Sequence, residues 1–209
     1  MKYYDEVQNI MAYIASIGNT LKDVAKSIAN AIEDDRLVHL IPADMHSTAP
    51  AEDLFFKVGS PCAYNLVTDP TFHVNHLASR AYYLRNARNI GRFLVQYYRN
   101  IKQGDAALLF SQSSHTSVHE MIDELKIKGV ATFLVTTAKD DFAAHQTVAI
   151  PAQSGSISNI ALLVAGCYID SEVSALLGGK TDFWLPFSEE NNAKNEMLIK
   201  KYKHRIKQL

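Results

Sequence analysis

The fold of this chain is decided by the stretch Gly104-Asp105-Ala106-Ala107-Leu108-Leu109-Phe110-Ser111-Gln112-Ser113-Ser114-His115-Thr116-Ser117. An apolar run of strand character ends here in a cluster of small hydroxyl residues, and a helix-like segment follows over 118–128. A strand that delivers hydroxyl groups to a helix N-terminus makes an anion pocket, because free backbone N–H groups and the helix dipole attract negative charge. The stretch therefore predicts either a phosphate-binding loop or an ordinary N-cap turn with spare serines, and the local pattern leaves both open.

Further strands and helices alternate on both sides of this stretch. Short apolar runs bounded by turn residues predict strands over 37–41, 62–67, 106–110, 130–135 and 147–150. Apolar residues at spacings of three and four predict helices over 3–33, 49–58, 77–102, 118–128, 158–177 and 192–208, the first interrupted near Gly18-Asn19-Thr20. This alternation predicts an α/β fold in a single domain, residues 1–209, with a parallel sheet of about five strands sandwiched by helices (Rossmann-like, flavodoxin-like).

Composition and charge limit the function classes. Apolar residues make up 47% of the chain and charged residues 21%, and the formal net charge is −1. Binding to nucleic acid or to a membrane surface through bulk charge needs a positive excess, so we expect neither partner. No uninterrupted apolar run reaches about 18 residues, and the N-terminus lacks a signal-peptide pattern. Cys62 and Cys167 lack metal-ligand spacing and predict buried, reduced thiols, which is typical of a soluble cytoplasmic protein.

Two loops follow strands at the edge where an open α/β sheet binds its ligands. One covers 42–48, after the strand at 37–41, and the other covers 111–117, after the strand at 106–110. In such sheets ligands bind outside the carboxyl ends of the strands. We therefore expect these two loops to form the site.

The second loop resembles the phosphate-binding loop of sugar isomerase (SIS) domains. In that family a strand is followed by Ser-x-Ser-Gly-x-Thr or a close variant and then by a helix, and this chain has Ser111-x-Ser113-x-x-Thr116. The first loop resembles that of a subgroup of uncharacterised phosphosugar-binding proteins related to phosphoheptose isomerases. The subgroup carries Gly-His-Ser and then a helix with Glu and paired aromatic residues, which correspond here to His46-Ser47 and to Glu52-Asp53-Leu54-Phe55-Phe56.

The C-terminal tail extends this resemblance to the last residue. The subgroup has an Asn, then Leu, Tyr and Arg-Ile, and ends in Leu. The matching residues are Asn195, Leu198, Tyr202, Arg205-Ile206 and Leu209. The resemblance implies an SIS domain that binds a phosphorylated sugar and needs no cofactor.

Three departures from the subgroup bear on catalysis more than on the fold. The first loop reads Pro42-Ala43-Asp44-Met45 where the subgroup is glycine-rich, and Ser114 stands where the phosphate loop normally has glycine. The stretch 85–92 lacks the Glu that the subgroup usually places ahead of a Gly. Glycine lets a backbone approach a phosphate closely and adopt positive φ, so loops without it indicate an altered geometry or a different ligand.

The resemblance implies aldose–ketose isomerisation, which needs an anchored phosphate and a base that moves a proton between C1 and C2. The hydroxyl residues of the second loop are predicted to hold the phosphate: Ser111, Ser113, Ser114 and Thr116. His46 and Ser47 are predicted to contact sugar hydroxyls. Glu52 and His46 are the predicted catalytic residues, with Glu52 as the general base. The alternative for Glu52 is a first-turn acid that favours the helix dipole.

His115 and His119 lie four residues apart and share one helix face if both are helical. A surface or partner contact, a contact to the sugar, and a metal site remain open for this pair. We take His115 as a substrate-binding residue and predict no metal, because no third ligand has a sequence reason to join them, although His46 or His145 could.

Assembly and function have alternatives of their own. We expect a homodimer or homotetramer, assembled through the helix over 158–177 and the N-terminal helix. The alternative function is a non-catalytic sensor or regulator that binds a phosphosugar or an amino-sugar phosphate. A structural role with an inactive pocket is a third interpretation.

Overall fold

The computed structural model describes residues 2–44, 46–67, 88–152 and 155–209. Its helices are α1 (Lys2–Ser16), α2 (Gly18–Glu33), α3 (Thr48–Leu54), α4 (Ile90–Tyr97), α5 (Thr116–Ile127), α6 (Gly155–Leu177) and α7 (Glu189–Tyr202). Its strands are β1 (Val38–Pro42), β2 (Tyr64–Leu66), β3 (Ala106–Ser111), β4 (Ala131–Thr136) and β5 (Gln146–Ala149). The predicted helix over 77–102 lies partly outside the described residues. Within them it is α4, which ends at Tyr97, so the predicted end at residue 102 is wrong.

The strands form one five-stranded parallel sheet in the order β2-β1-β3-β4-β5, which confirms the predicted fold class. The chain moves outward from β1 to β2 and then returns past β1 to β3, so the strand order reverses between β1 and β3. There Pro42 lies beside Phe110, and Ser111 lies beside Thr136 of the next strand. Such a reversal opens a crevice at the carboxyl edge, where open α/β sheets bind ligands.

The sheet lies between two apolar layers. Leu40, Leu108 and Phe110 pack into one layer with residues of α1, α2, α3 and α6. Ile41 and Leu109 pack into the other layer with residues of α4 and α5. All five side chains are fully buried. Because both faces are covered, most residues of the inner strands are apolar, which is why an apolar run predicted them.

Several helix boundaries differ from the sequence pattern. The helix predicted over 192–208 begins at Glu189 and ends at Tyr202, and the helix predicted over 158–177 begins at Gly155. The predicted helix over 3–33 is two helices, separated at Ile17, so the expected interruption is present. The helix predicted over 49–58 ends at Leu54, because the residue that follows is extended and Phe56 adopts a left-handed φ of 56°. This turn places the Phe56 ring on Trp184, with ring centroids 4.3 Å apart. A contact with a residue distant in sequence therefore ends α3 early.

Helix α6 is the apolar helix of one face. By length and composition alone, its 23 residues could cross a membrane. The sequence has no uninterrupted apolar run of that length. Within the protein, 44% of the most apolar window of the helix is buried. The helix packs against α1, α2 and α3. The helix approaches the sheet closely at Gly166, where an added Cβ would lie only 3.1 Å from Cζ of Phe110. These contacts are those of a core helix in a folded domain.

Candidate anion-binding site

Strand β3 delivers its last residue, Ser111, to the carboxyl edge of the sheet, and α5 begins at Thr116. Ser111 is fully buried, whereas Ser113 and His115 are half-buried and Ser114 and Thr116 are exposed. His115 is extended at the N-cap and its side chain makes no capping hydrogen bond. The hydroxyl cluster is thus divided between a buried strand end and an exposed helix start.

The carboxylate of Asp44, from the loop after β1, lies against the loop after β3. Its Oδ2 accepts hydrogen bonds from the backbone N–H groups of Gln112 at 2.6 Å and Ser113 at 3.1 Å. The hydroxyl groups of Ser111 and Ser113 lie 2.8 Å and 3.1 Å from the same oxygen. Successive N–H groups that converge on one point make a concavity that binds anions. Here the bound anion is a side chain of the protein itself.

The other carboxylate oxygen of Asp44 is held by its own loop. Oδ1 accepts a hydrogen bond from the Ser47 hydroxyl at 2.8 Å and from the backbone N–H of His46 at 3.0 Å. Asp44 is only 6% exposed. Burying a carboxylate is unfavourable unless hydrogen bonds replace its hydration. Five donor groups from the two loops provide that replacement, and a sixth, the Ser111 hydroxyl, lies 2.8 Å from both Oδ2 and the Ser113 carbonyl oxygen.

Gln112 joins both loops to α6. Its side-chain Nε2 donates to the backbone carbonyl of His46 at 2.9 Å and to Oδ1 of Asn159 at 2.7 Å. Sequence reasoning assigned no role to Gln112, Asp44 or Asn159. The only available signal was negative, namely the acid in a loop where the subgroup is glycine-rich.

The structure brings part of the predicted site together. Ser47, Ser111 and Ser113 meet around Asp44, and we call these four residues with the His46 N–H the Asp44 cluster. The hydroxyls of Ser47 and Ser111 are fully inside the protein, and His46 itself is exposed. Three side chains predicted to meet a ligand therefore contact a carboxylate of the chain.

The remaining predicted residues lie outside the Asp44 cluster. Ser114 and Thr116 are exposed at the start of α5, with His115 half-buried between them. Glu52 is exposed on α3, in its second turn. Since α3 has no acidic residue in its first turn, the helix-dipole alternative for Glu52 loses its support. The ligand-binding and catalytic roles of these residues stay predictions.

His119 has a carboxylate and an aromatic ring as neighbours. Its Nε2 lies 3.1 Å from Oδ2 of Asp140, and its ring stacks on Phe142 with centroids 4.8 Å apart. A hydrogen bond from the Asp141 N–H, together with the His119 imidazole, lowers the pKa of Asp140. Within residues 2–44, 46–67, 88–152 and 155–209, no group of three or more His, Cys, Asp or Glu could hold a metal ion.

Glu120 of α5 places an acid next to the stretch where the sequence lacks one. Its two oxygens accept the backbone N–H groups of Asn89 at 2.5 Å and Gly91 at 3.0 Å. These N–H groups open α4, so the carboxylate caps that helix from a neighbouring helix. Glu120 is therefore an acid with a structural contact to this stretch.

The chain belongs to the SIS domain family, whose model matches residues 2–137. The matched part contains both loops of the candidate site. The resemblance predicted from the loops and the tail is thereby confirmed at the level of the family. No curated protein matches the chain.

Two solved structures with a TM-score of at least 0.50 show the same fold. The chain is similar to a phosphoheptose isomerase from Francisella tularensis, at 12% identity and a TM-score of 0.58, over 82% of this chain and 94% of that one. It is similar to the C-terminal domain of glucosamine-fructose-6-phosphate aminotransferase from the same organism, at 10% identity and a TM-score of 0.50, over 88% of this chain and 48% of that one. The Vibrio vulnificus NanR protein complexed with ManNAc-6P matches at 10% identity and a TM-score of 0.49, over 96% and 66%.

Proposed function

We propose that this chain binds a phosphorylated sugar at the carboxyl edge of β1 and β3. The observation that supports the proposal is the loop between β3 and α5, whose backbone N–H groups and hydroxyls converge on an anion at the point where the strand order reverses. Membership of the SIS domain family supports the same ligand class. Ser114 and Thr116 extend the hydroxyl surface to solvent beside the converging N–H groups.

We further propose aldose–ketose isomerisation of the phosphoheptose-isomerase type as the reaction. Glu52 and His46 are the candidates for proton transfer, because both are exposed in the segment that follows β1. A general base must reach the proton it removes from the bound sugar. His46 lies in the loop whose backbone carbonyl accepts from Gln112, and Glu52 lies on the helix that follows that loop.

A non-catalytic phosphosugar sensor is the second candidate function. Two observations favour it. Asp44 engages the converging donors, and the Glu120 carboxylate is bound by the backbone N–H groups of Asn89 and Gly91. Neither carboxylate is available to move a proton in this arrangement. Binding without turnover is the expected behaviour under this alternative.

The experiment that tests ligand binding is a thermal-shift screen of sugar phosphates, with each unphosphorylated sugar as its matched control. A ligand present at 100 times its dissociation constant adds about 2.7 kcal/mol of stability. For a chain of this size that corresponds to a rise in Tm of roughly 5–10 °C. Stabilisation by a sugar phosphate and not by its free sugar supports the proposal, and no stabilisation by any of them contradicts it.

Turnover separates the isomerase from the sensor. With a stabilising sugar phosphate in D₂O, an isomerase exchanges deuterium into the C1 or C2 position, which NMR detects even at equilibrium. Glu52→Gln is expected to retain binding and lose about 10²-fold or more of this exchange, the usual contribution of a general base. Glu196→Gln, an exposed glutamate of α7, is the control and is expected to exchange like the wild type. Exchange retained in Glu52→Gln removes Glu52 from the mechanism, and no exchange in the wild type favours the sensor.

A further inference from the structure

The Asp44 carboxylate occupies the same donors that a phosphate would need. A phosphate group and a carboxylate both accept hydrogen bonds through anionic oxygens, and backbone N–H groups and hydroxyls serve either one. Oδ2 of Asp44 takes the N–H groups of Gln112 and Ser113, and the Ser111 hydroxyl lies 2.8 Å from it. Two anions cannot share these donors, because like charges at about 3–4 Å repel strongly in a partly buried site.

The position of Asp44 is compatible with a carboxylate that can leave the anion site. It lies in the short loop between β1 and α3 and not within a strand, and the last backbone hydrogen bond to β3 before it is made by Ala43. The neighbouring His46 is exposed, as are Ser114 and Thr116 on the opposite loop, so each loop has solvent-exposed residues next to the buried carboxylate. A ligand therefore reaches the rim of the cluster before Asp44 leaves it.

We propose that Asp44 is an internal competitor that closes the anion site, and that the phosphate of the ligand displaces it. This inference rests on the proposed function, since it concerns the regulation of the same site. When Asp44 leaves, the Ser47 hydroxyl and the donors of the β3 loop become available together, which couples phosphate entry to a rearrangement of the first loop. The apparent affinity of the wild type is then lowered by the small fraction of molecules in the open state.

The test uses inorganic phosphate as the probe and isothermal titration calorimetry as the measurement. Asp44→Ala removes the competitor, and Asp44→Asn keeps the side-chain size while removing the charge. Both are expected to bind phosphate about tenfold or more tightly than the wild type, as the open fraction rises. Asp123→Ala, an exposed aspartate of α5, is the charge-matched control and is expected to bind like the wild type. Adding Ser111→Ala and Ser113→Ala to Asp44→Ala is expected to abolish the gain.

The outcomes separate this inference from the proposed function. Equal phosphate affinity in the wild type and the Asp44 variants overturns the internal competitor and leaves phosphate binding intact. If phosphate binds none of them while sugar phosphates stabilise the wild type, the competitor is again overturned, because the phosphate group is bound elsewhere. If neither phosphate nor any sugar phosphate affects any variant, the proposed function fails as well.

A measurement on the wild type covers the case in which both Asp44 variants fail to fold. Displacement of Asp44 by saturating phosphate exchanges the acceptor at the N–H groups of Gln112 and Ser113, so their ¹⁵N–¹H resonances are expected to shift together with that of His46. The N–H of Asp123 on α5 serves as the internal control. Saturation without any shift at Gln112 and Ser113 overturns the inference.

Discussion

At the scale of single residues, one acid changes how the hydroxyl loop is to be understood. The hydroxyls of Ser111 and Ser113 fit a phosphate by residue type, yet each lies within hydrogen-bond distance of Asp44. A hydroxyl has one proton to donate, so its partner in the folded chain decides what it can offer to a ligand. The residue that decides this is 67 positions away from Ser111 in sequence. Residue type alone therefore locates the site, but it does not show whether its hydroxyl groups contact a ligand or Asp44.

A second buried carboxylate lies at the opposite, amino edge of the sheet. Asp105 is 3% exposed, and its Oδ2 lies 2.9 Å from Nε2 of the fully buried His39. The other ring nitrogen of His39 accepts from the Asn65 amide at 2.8 Å. Backbone N–H groups of Lys102 and Leu37 also donate to Asp105. This network fixes the starts of β1 and β3, far from the carboxyl edge where the candidate site lies.

Asp105→Asn is expected to lower the free energy of unfolding at pH 7 by about 1–3 kcal/mol, because it replaces a hydrogen-bonded buried charge. Burial by itself would raise the pKa of Asp105, but the His39 hydrogen bond and the N–H groups outweigh it and lower that pKa below its usual value. Stability from this carboxylate is therefore present above about pH 3.9, the pKa of an unfolded Asp, and is lost as pH falls through the folded-state pKa. Urea unfolding at several pH values measures the difference.

The pH dependence of that difference gives the sharper check. The gap between wild type and Asp105→Asn is expected to be smaller at pH 3 than at pH 7. Asp123→Asn, which changes an exposed aspartate, is the control and is expected to follow the wild type at both values. A gap of the same size at pH 3 and pH 7 contradicts the role assigned to the charge.

At the scale of elements, α4 and α5 meet through a glycine. A Cβ on Gly91 would lie 2.0 Å from the backbone oxygen of Ser117 and 3.0 Å from Cβ of Glu120. Glu120 in turn accepts the N–H groups of Asn89 and Gly91. The close approach and the cap from a neighbouring helix therefore depend on the same position. Since Ser117 lies in the first turn of α5, this contact also holds the start of the helix beside the candidate site.

Gly91→Ala is expected to lower the free energy of unfolding by about 1–3 kcal/mol, because the added methyl group overpacks the helix contact and displaces the Glu120 cap. Alanine is the better helix former by about 1 kcal/mol, so helix propensity alone predicts the opposite sign. Gly155→Ala is the matched control, since a Cβ there meets no atom of the described residues within 4 Å. Urea unfolding of the two variants measures which effect is larger. A Gly91→Ala protein as stable as Gly155→Ala would rule out the close contact.

The sequence predicts an element correctly where the whole element is buried. It predicts the end of an element wrongly where a contact with a residue distant in sequence sets that end. The inner strands β1, β3 and β4 are predicted because both of their faces are covered and most of their residues are apolar. The end of α3 is mispredicted because Phe56 turns away to pack on Trp184, which the local pattern of 49–58 cannot show. The candidate site is likewise predicted in part. Its two loops are predicted from the strand ends, whereas the Asp44 cluster depends on contacts between those loops.

At the scale of the whole molecule, the proposed assembly depends on the outer side of α1. Ile10 and Ile14 of this helix are buried against the core, and α1 packs on α6. Tyr4 and Met11, seven residues apart and so on one side of the helix, are 65% and 47% exposed. On α6, Leu176 is 46% exposed. An apolar side chain left in solvent gains stability when a second copy covers it, and we propose that the outer side of α1 is part of the interface of a homodimer or homotetramer.

Tyr4→Lys together with Met11→Lys is expected to convert the assembly into monomers, because it places two charges where the proposed interface is apolar. Sedimentation velocity at several protein concentrations measures the change. Asn9→Lys together with Ala12→Lys adds the same charge to another exposed side of α1 and is expected to sediment like the wild type. Assembly also links stability to concentration, so the wild-type Tm rises with protein concentration and the Tm of the Tyr4 and Met11 variant does not. A monomeric wild type, or an assembly that survives both lysines, refutes this interface.

Asp44 and its donors all lie within one chain. The monomeric variant is therefore expected to bind the phosphate probe like the wild type. If it loses this binding, a second subunit completes the site.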